Sequence, residues 1–486
     1  MYLGLDIGTS AIKGLLLDET MGFVATSASS LEVLRRHEGW SEQEPASWLA
    51  AIDDVMAELA KKAPEAVSQI VSIGLSGQMH GLVALDKNDD VLRSAILWND
   101  VRNGAEAEEM DKQNPDFRVI GGNAVMPGFT APKAVWMARH EPELFAQIST
   151  ILLPKDYVRF CLSGEKFTDM ADCSGTLWLN VGTRDYSEAL LSACGLSRSK
   201  MPKLTEGTQE AGRLTADLAQ KWGIKGAPVI AGTGDNAAAA CGLGMVSPGD
   251  GFLSLGTSGV VFVVTEKFTP SAQNGVHAFC HALPDTWHQM GVILSATDSL
   301  NWLSEVTGKD VGTLAQEAAG CPQASDVSSA QLLFHPYLSG ERTPHNDANA
   351  RGGFFNLSRS HDTGDMAFAV LEGVGFALAD CVDVLSQSGS KLSSLMATGG
   401  GVKNNQWLQM IADITNCEIT LPVDGDFGAA LGAARLGAIA SRHKGLETLT
   451  KPDIAARFAP NASRHGHYQQ RRARWQRIYE LIKEAR

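Results

Sequence analysis

The chain has 486 residues, 44% of them apolar and 20% charged, with a formal net charge of −14. That length exceeds a single core and predicts two or three domains. The acidic balance argues against nucleic acid or an anionic membrane as the main partner.

No apolar run is long enough to span a bilayer, and Met1-Tyr2-Leu3-Gly4 lacks the organisation of a signal peptide. The cysteines at 161, 173, 194, 241, 280, 321, 381 and 417 are scattered, with no Cys-x-x-Cys. They read as reduced thiols of a cytoplasmic protein, with neither a zinc site nor a disulfide framework.

Taken in order, residues 2–5 form a strand that enters the turn Asp6-Ile7-Gly8-Thr9-Ser10, followed by Ala11-Ile12-Lys13-Gly14-Leu15. A Gly-Thr-Ser turn between two apolar runs predicts a tight hairpin. Its amides, two hydroxyls and Lys13 suit an anion, although a plain hairpin fits the same pattern. No helix-opening Gly-Lys-Ser/Thr follows, so this is not a Walker loop. Residues 48–62 read as a helix and 71–75 as a strand ending in Ser76-Gly77-Gln78-Met79-His80-Gly81. A polar, glycine-bounded turn at a strand end suits ligand contact, while a lone histidine there is commonly structural. Residues 95–102 predict a strand ending in Trp98-Asn99-Asp100, and Glu106, Glu108 and Glu109 mark the solvated face of an acidic helix. Residues 152–157 and 168–178 mix loop and short-element signals without a clear order.

The chain is organised around Ala227-Pro228-Val229-Ile230-Ala231-Gly232-Thr233-Gly234-Asp235-Asn236 and the alanine run that follows. A short strand, a glycine turn and a small-residue helix place Asp235 at the mouth of that helix, where a simple helix cap is the competing reading. Gly251 to Val263 then repeats strand, Gly256-Thr257-Ser258 turn and strand, and Gly425-Asp426 before a second alanine-rich helix echoes the central turn. This internal repeat predicts two similar α/β domains, divided as residues 1–245 and 246–486. Thr398-Gly399-Gly400-Gly401 between a strand and the helix from Gln406 is a turn that can cradle a nucleotide. The apolar helix at 365–386 carries Gly373 and Gly375, which predicts close backbone packing there. The basic C-terminal stretch from Arg464 spaces Trp475, Ile478, Tyr479 and Ile482 as a surface helix docked by one face.

Together these motifs resemble, in order and over roughly residues 1–440, the FGGY carbohydrate kinases: Asp6-Ile-Gly-Thr-Ser, Gly234-Asp-Asn, Leu255-Gly-Thr-Ser-Gly and Thr398-Gly-Gly-Gly-x-x-Asn-Asn. The resemblance implies two actin-like, ribonuclease-H-like domains, with MgATP and sugar in the cleft between them. The sugar-side stretches Ser76 to Gly81, Leu97 to Asp100, Met126 to Lys133 and Tyr337 to His345 imply a ketopentose acceptor, D-xylulose, with another ketose, polyol or sugar acid as the alternative.

The resemblance also implies roles. Asp235 is the general base, and Met79, His80, Asp235 and Asn236 contact the sugar. Asp6 holds Mg²⁺. Thr9, Ser10, Lys13, Thr257 and Ser258 line the phosphates. Gly400, Gly401 and Asn404 contact adenosine, with Trp302 near the base. The Gly340-Glu341-Arg342 loop receives no chemistry, and a buried structural ion pair is the expectation for Arg342. A nucleotide-driven conformational switch and a catalytically dead sugar sensor are the rival readings; the polar sugar turn opposes the first and intact Asp6 and Asp235 oppose the second. The oligomeric state stays open, with a homodimer as the candidate.

Overall fold

The computed structural model describes residues 1–327, 331–423, 428–441 and 445–485. The first half starts as an antiparallel meander of β1 (Tyr2–Ile7), β2 (Ala11–Leu17) and β3 (Phe23–Ser30). Helix α1 (Pro45–Lys62) begins on a proline and buries Trp48, Ile52, Val55, Met56 and Leu59, one helical stripe, beneath this meander. It leads to β4 (Ser72–Gly77), which runs parallel to β1, with Asp6 opposite Ser76. Helix α2 (Pro154–Ser163) and strands β5 (Glu210–Arg213), β6 (Pro228–Ile230) and β7 (Thr233–Gly234) follow, then α3 (Asp235–Gly242). The sheet order is β5-β6-β4-β1-β2-β3, with β7 paired to the end of β4.

The second half repeats the plan. A meander of β8 (Gly251–Leu255), β9 (Gly259–Thr265) and β11 (Trp287–Ile293) carries β10 (His277–Cys280) on its edge. Helix α4 (Thr297–Thr307) and the long α5 (Thr363–Gln387) return the chain to β12 (Ser394–Thr398), parallel to β8. Helix α6 (Asn405–Thr415), β13 (Glu418–Pro422), helix α7 (Gly428–Ala440), β14 (Ile454–Phe458) and α8 (Ala462–Ala485) complete it. The order is β10-β11-β9-β8-β12-β13-β14. Each sheet is thus a meander whose first strand pairs in parallel with the next strand of the sheet. This is the α/β arrangement of an actin-like, ribonuclease-H-like unit, twice over.

The two halves are joined through small residues. Helix α7, from the second half, lies on β1 and β4 of the first and against α3. A Cβ at Gly74 would sit 1.8 Å from the Ala433 carbonyl, and one at Gly432 would sit 1.8 Å from that of Ala238. Only glycine allows these backbones to touch, so the alanine-rich composition is a packing requirement. Buried Arg435 of α7 donates to the carbonyls of Gly242 and Thr450, each at 2.9 Å, and so closes the end of α3. The mid-helix Gly373 of α5 has the Phe334 carbonyl 2.2 Å from where its Cβ would be, the close packing expected there. Helix α8 docks by Tyr468, Arg471, Trp475 and Tyr479, with Ile478 partly buried beside them.

Some local expectations change. The strand expected over 95–102 shrinks to Ala95–Ile96, because Asp100 folds back to accept from the Ser41 amide at 2.6 Å and from Arg102. Glu106 is not on a solvated face: it is buried beside His140 and Arg139, while Glu108 and Glu109 of the same helix stay exposed or partly so. The Gly425-Asp426 echo lies outside the described residues. Among those that are described, no helix is long and apolar enough to cross a membrane.

Candidate active site

Strand β4 ends at Gly77, and the chain then turns through Gln78, Met79 and His80. His80 holds φ +67°, a left-handed conformation disfavoured for a side chain of its size. Its neighbours fix it there. Lys133 Nζ and Thr130 Oγ1 donate to the His80 carbonyl at 2.8 and 3.1 Å, and the ring packs edge-on against Phe129 at 4.7 Å. Nδ1 lies 2.8 Å from the Gly175 carbonyl, which can only accept, so Nδ1 carries the proton and Nε2 is left as an acceptor. Burial, with Lys133 and Arg342 nearby, outweighs that bond and pushes the imidazole down to about 3, which keeps it neutral.

The central turn delivers Asp235 at the start of α3. Its Oδ1 accepts from the Asn236 amide at 2.7 Å and from Asn236 Nδ2 at 2.8 Å. Burial first, and then the Asp6 charge, raise its carboxyl to about 7 against the opposing pull of the Asn236 bonds. Met79, His80, Asp235 and Asn236 line one cavity of about 250 Å³, the size of a small polyol, together with Trp98, Phe129 and residues of β9 to β11.

Asp6 stands opposite Lys13 in the β1–β2 hairpin and accepts from Ser76 Oγ at 3.0 Å. Burial raises its carboxyl, while Ser76 and Lys13 oppose the shift. Asp6 is a half-buried carboxylate destabilised in its ionised form, with the Asp235 charge close enough to be felt, and its oxygens are of the type that a hard divalent cation takes and whose charge it would relieve. Mg²⁺ therefore fits these residues. The turn itself is rigid: Thr9 Oγ1 donates to Gln78 Oε1 at 3.1 Å and accepts from Trp98 Nε1 at 2.9 Å, and Gln43 binds the Thr9 carbonyl. Gln78 thus ties the phosphate-type turn to the sugar turn, while Ser10 is exposed on the hairpin tip.

On the other side, Gly400, Gly401 and Asn404 line a cavity of about 800 Å³ between α4 and the start of α6. Asn404 Oδ1 caps α6 by accepting from the Gln406 and Trp407 amides, both at 3.1 Å. A flat glycine surface beside a helix start suits a ring and its attached phosphates. Thr257 is exposed on the β8–β9 turn, and its carbonyl accepts from the Ala296 amide at 2.7 Å.

Three placements differ from expectation. Trp302 does not line the cavity at Gly400, Gly401 and Asn404: it packs partly buried against the core, stacked on Phe334 at 5.8 Å, and Asn301 lines the cavity instead, one residue and about 100° back around α4. Ser258 lines the cavity that holds Met79, His80, Asp235 and Asn236, together with Ser254 and Val260. Arg342 has no carboxylate partner among the described residues. It also lines the sugar cavity, with Nη1 3.4 Å from His277 Nε2.

The structure adds a support that the sequence did not reveal. Behind the central turn, fully buried Lys155 pairs with Asp156 at 2.5 Å and Asp169 at 3.0 Å, and lies 3.6 Å from Asp172. Its amino group occupies the place a metal would take among the three carboxylates. Lys155 and Arg159 also donate to the Ala231 carbonyl at 3.3 and 3.2 Å, clamping the strand end that carries Gly232 to Asp235.

With the geometry in place, known proteins extend it. Residues 1–242 match the N-terminal domain of the FGGY family of carbohydrate kinases, and residues 251–441 match its C-terminal domain. A xylulose kinase of Escherichia coli (strain K12) is 46% identical over 485 residues, covering 99% of each chain. The crystal structure of a xyloylose kinase from Brucella ovis superimposes with a TM-score of 0.96 at 47% identity, over 100% of both chains. A gluconate kinase from Lactobacillus acidophilus superimposes at 0.91 with 26% identity, covering 99% of this chain and 97% of its own. Two Gly-Thr-Ser hairpins, a paired-carboxylate cleft and a whole-chain match agree: the chain belongs to the FGGY family of carbohydrate kinases.

Proposed function

We propose that the protein transfers the γ-phosphoryl group of ATP to the 5-hydroxyl of D-xylulose, giving D-xylulose 5-phosphate. The observation that carries this reading is a single pentose-sized cavity shared by Asp235, His80, Met79 and Asn236. The whole-chain likeness to xylulose kinases supports the choice of sugar, and eight free cysteines, six of them buried, support a cytoplasmic location.

Asp235 acts as general base. A carboxyl near 7 is matched to take the proton from a hydroxyl as its oxygen bonds to phosphorus. His80 Nε2 accepts from a sugar hydroxyl, and Asn236 orients Asp235. Asp6 holds Mg²⁺, which when bound neutralises phosphate charge. Lys13, Thr9, Ser10 and Thr257 face the phosphates from the two turns, with Ser258 between phosphates and sugar. Gly400, Gly401 and Asn404 receive the adenosine. The halves act as two domains, 1–245 and 246–486, and the joining of α3 and α7 by backbone contact makes that junction the pivot on which the cleft closes and excludes water.

The test is ATP consumption across D-xylulose, other ketopentoses, ketohexoses, alditols and aldonates. D-xylulose is expected to give the highest kcat/KM. A higher value for any other acceptor reassigns the substrate.

A further inference from the structure

We infer that Arg342 is a specificity-determining residue that selects the open-chain keto form of the sugar, its guanidinium donating to the C2 carbonyl oxygen. This rests on the ketopentose reading above. The loop that carries Arg342 is fastened to strand β11. The Thr343 amide donates to the Val292 carbonyl at 3.0 Å, and Thr343 Oγ1 accepts from the Val292 amide at 3.0 Å. The neighbouring Glu341 is buried, and its Oε1 accepts from the amides of Leu294 and Arg342 at 3.1 and 2.7 Å. Glu341 Oε1 is committed to the loop backbone and its Oε2 makes no hydrogen bond, so the guanidinium, which lines the sugar cavity, feels the Glu341 charge without a direct ion pair among the described residues.

The orientation of the guanidinium is fixed by a chain of bonds with one consistent proton assignment. Asn123 Nδ2 donates to the carbonyls of Gly121 and Ala278 at 2.8 and 3.2 Å, so Asn123 Oδ1 must be the acceptor. His277 Nδ1, 3.0 Å from that oxygen, therefore carries the ring proton. His277 Nε2 is then an acceptor and receives Arg342 Nη1–H at 3.4 Å. One N–H of Arg342 is used at His277, and the residue lines the cavity with its other donors in hand.

The chemistry of the acceptor gives those donors a target. A 2-ketopentose closes its furanose ring through O5, the oxygen that must attack phosphorus. Only the open-chain form leaves O5 free, and that form carries a carbonyl at C2. A guanidinium has donors and no acceptor. It therefore matches a carbonyl oxygen, which has no proton, better than a hydroxyl, whose proton would meet another donor. Asp235 and Arg342 line the same cavity of about 250 Å³, so one binds the reacting hydroxyl while the other reads the carbonyl.

The experiment compares kcat/KM for D-xylulose with that for xylitol and D-arabinitol, the two alditols formed by reducing C2, in the wild type, Arg342→Met and Arg342→Lys. Loss of a hydrogen bond from a charged donor should lower kcat/KM for D-xylulose by about 10- to 100-fold in Arg342→Met. The alditols should fall far less, so the ketose-to-alditol ratio contracts, and Arg342→Lys should recover part of it. MgATP binding by calorimetry reports that the variants are folded. An equal loss on ketose and alditols makes Arg342 a structural anchor and overturns the proposal. Should Arg342→Met not fold, the wild type decides: equal kcat/KM for D-xylulose and both alditols overturns the proposal as well. A wild type that phosphorylates an aldonate and not D-xylulose refutes the ketopentose reading itself, a result distinct from either.

Discussion

The two Gly-Thr-Ser hairpins are the same backbone device used for two purposes. In both, an inner strand of the sheet turns through Gly-Thr-Ser into its antiparallel neighbour, β1 into β2 and β8 into β9. Two residues before the glycine, the first carries Asp6 and the second carries Ser254. Across the ladder, Asp6 faces Lys13, whereas Ser254 faces Val260. The first hairpin is thereby a charged site whose carboxyl is raised by burial. The second is a neutral wall, with Ser254, Ser258 and Val260 all lining the sugar cavity. Repetition of the fold supplied two similar turns, and a single position in each divided the labour: charge on one side of the cleft, shape on the other.

The largest effect should come from removing charge on the first side at its reacting end. Asp235→Asn keeps the size of the side chain and is expected to cost about 10²–10⁴-fold in kcat. Calorimetric binding of MgATP and sugar should persist. Near-normal kcat would leave Asp235 as a helix cap. The pH profile sharpens the point. Asp235 must be ionised to accept a proton and its carboxyl lies at about 7, so kcat/KM of the wild type should fall tenfold per unit below about pH 7 and level off above. Stability should run the opposite way. The raised carboxyl favours the folded state below about pH 4, where unfolded aspartate is protonated too, and that contribution is lost as pH rises to about 7. Thermal melts above pH 7 should therefore show Asp235→Asn with a higher Tm than the wild type, a gap that closes near pH 4.

Next in size is Asp6→Ser, which gives the first hairpin the residue of the second. If the asymmetry of the cleft is electrostatic, this variant needs more Mg²⁺ to half-saturate and is slower. Titrating kcat with Mg²⁺ checks it. A lower kcat with an unchanged half-saturating Mg²⁺ concentration would assign Asp6 to holding the turn through Ser76 rather than to the metal.

These contrasts also show what the sequence could and could not reveal. Both hairpins, the central turn and the glycine triplet were legible because each is a short run whose glycines and polar residues break an apolar pattern. The alanine-rich helices were legible for the same reason, their composition being demanded by backbone contact. The far wall of the sugar cavity was not legible. His277, Met290 and Val292 alternate along β10 and β11 as ordinary strand residues do, and nothing local marks which of them meets a cavity whose other walls come from Met79 to Phe129 and from Asp235 and Asn236. The resemblance put Trp302 near the base, yet a rotation of about 100° per residue gives that face of α4 to Asn301. Lys155 and its three aspartates were illegible because a buried charge cluster makes sense only when all its members are together.

The smallest effect tests the quiet side of the comparison. Ser254 is the counterpart of Asp6, half-buried, uncharged and part of the sugar wall. A neutral hydroxyl that gains one hydrogen bond on sugar binding contributes about two- to tenfold in affinity. Ser254→Ala should raise the KM for D-xylulose within that range and leave both the KM for ATP and the Mg²⁺ titration unchanged. Its strand neighbours Leu253 and Leu255 are fully buried and fix the backbone, so removing one hydroxyl leaves the hairpin in place. A change in the KM for ATP equal to that for the sugar would mean that the second turn holds the nucleotide with the Ser254 hydroxyl. The division between a charged hairpin and a shaping one would then not hold.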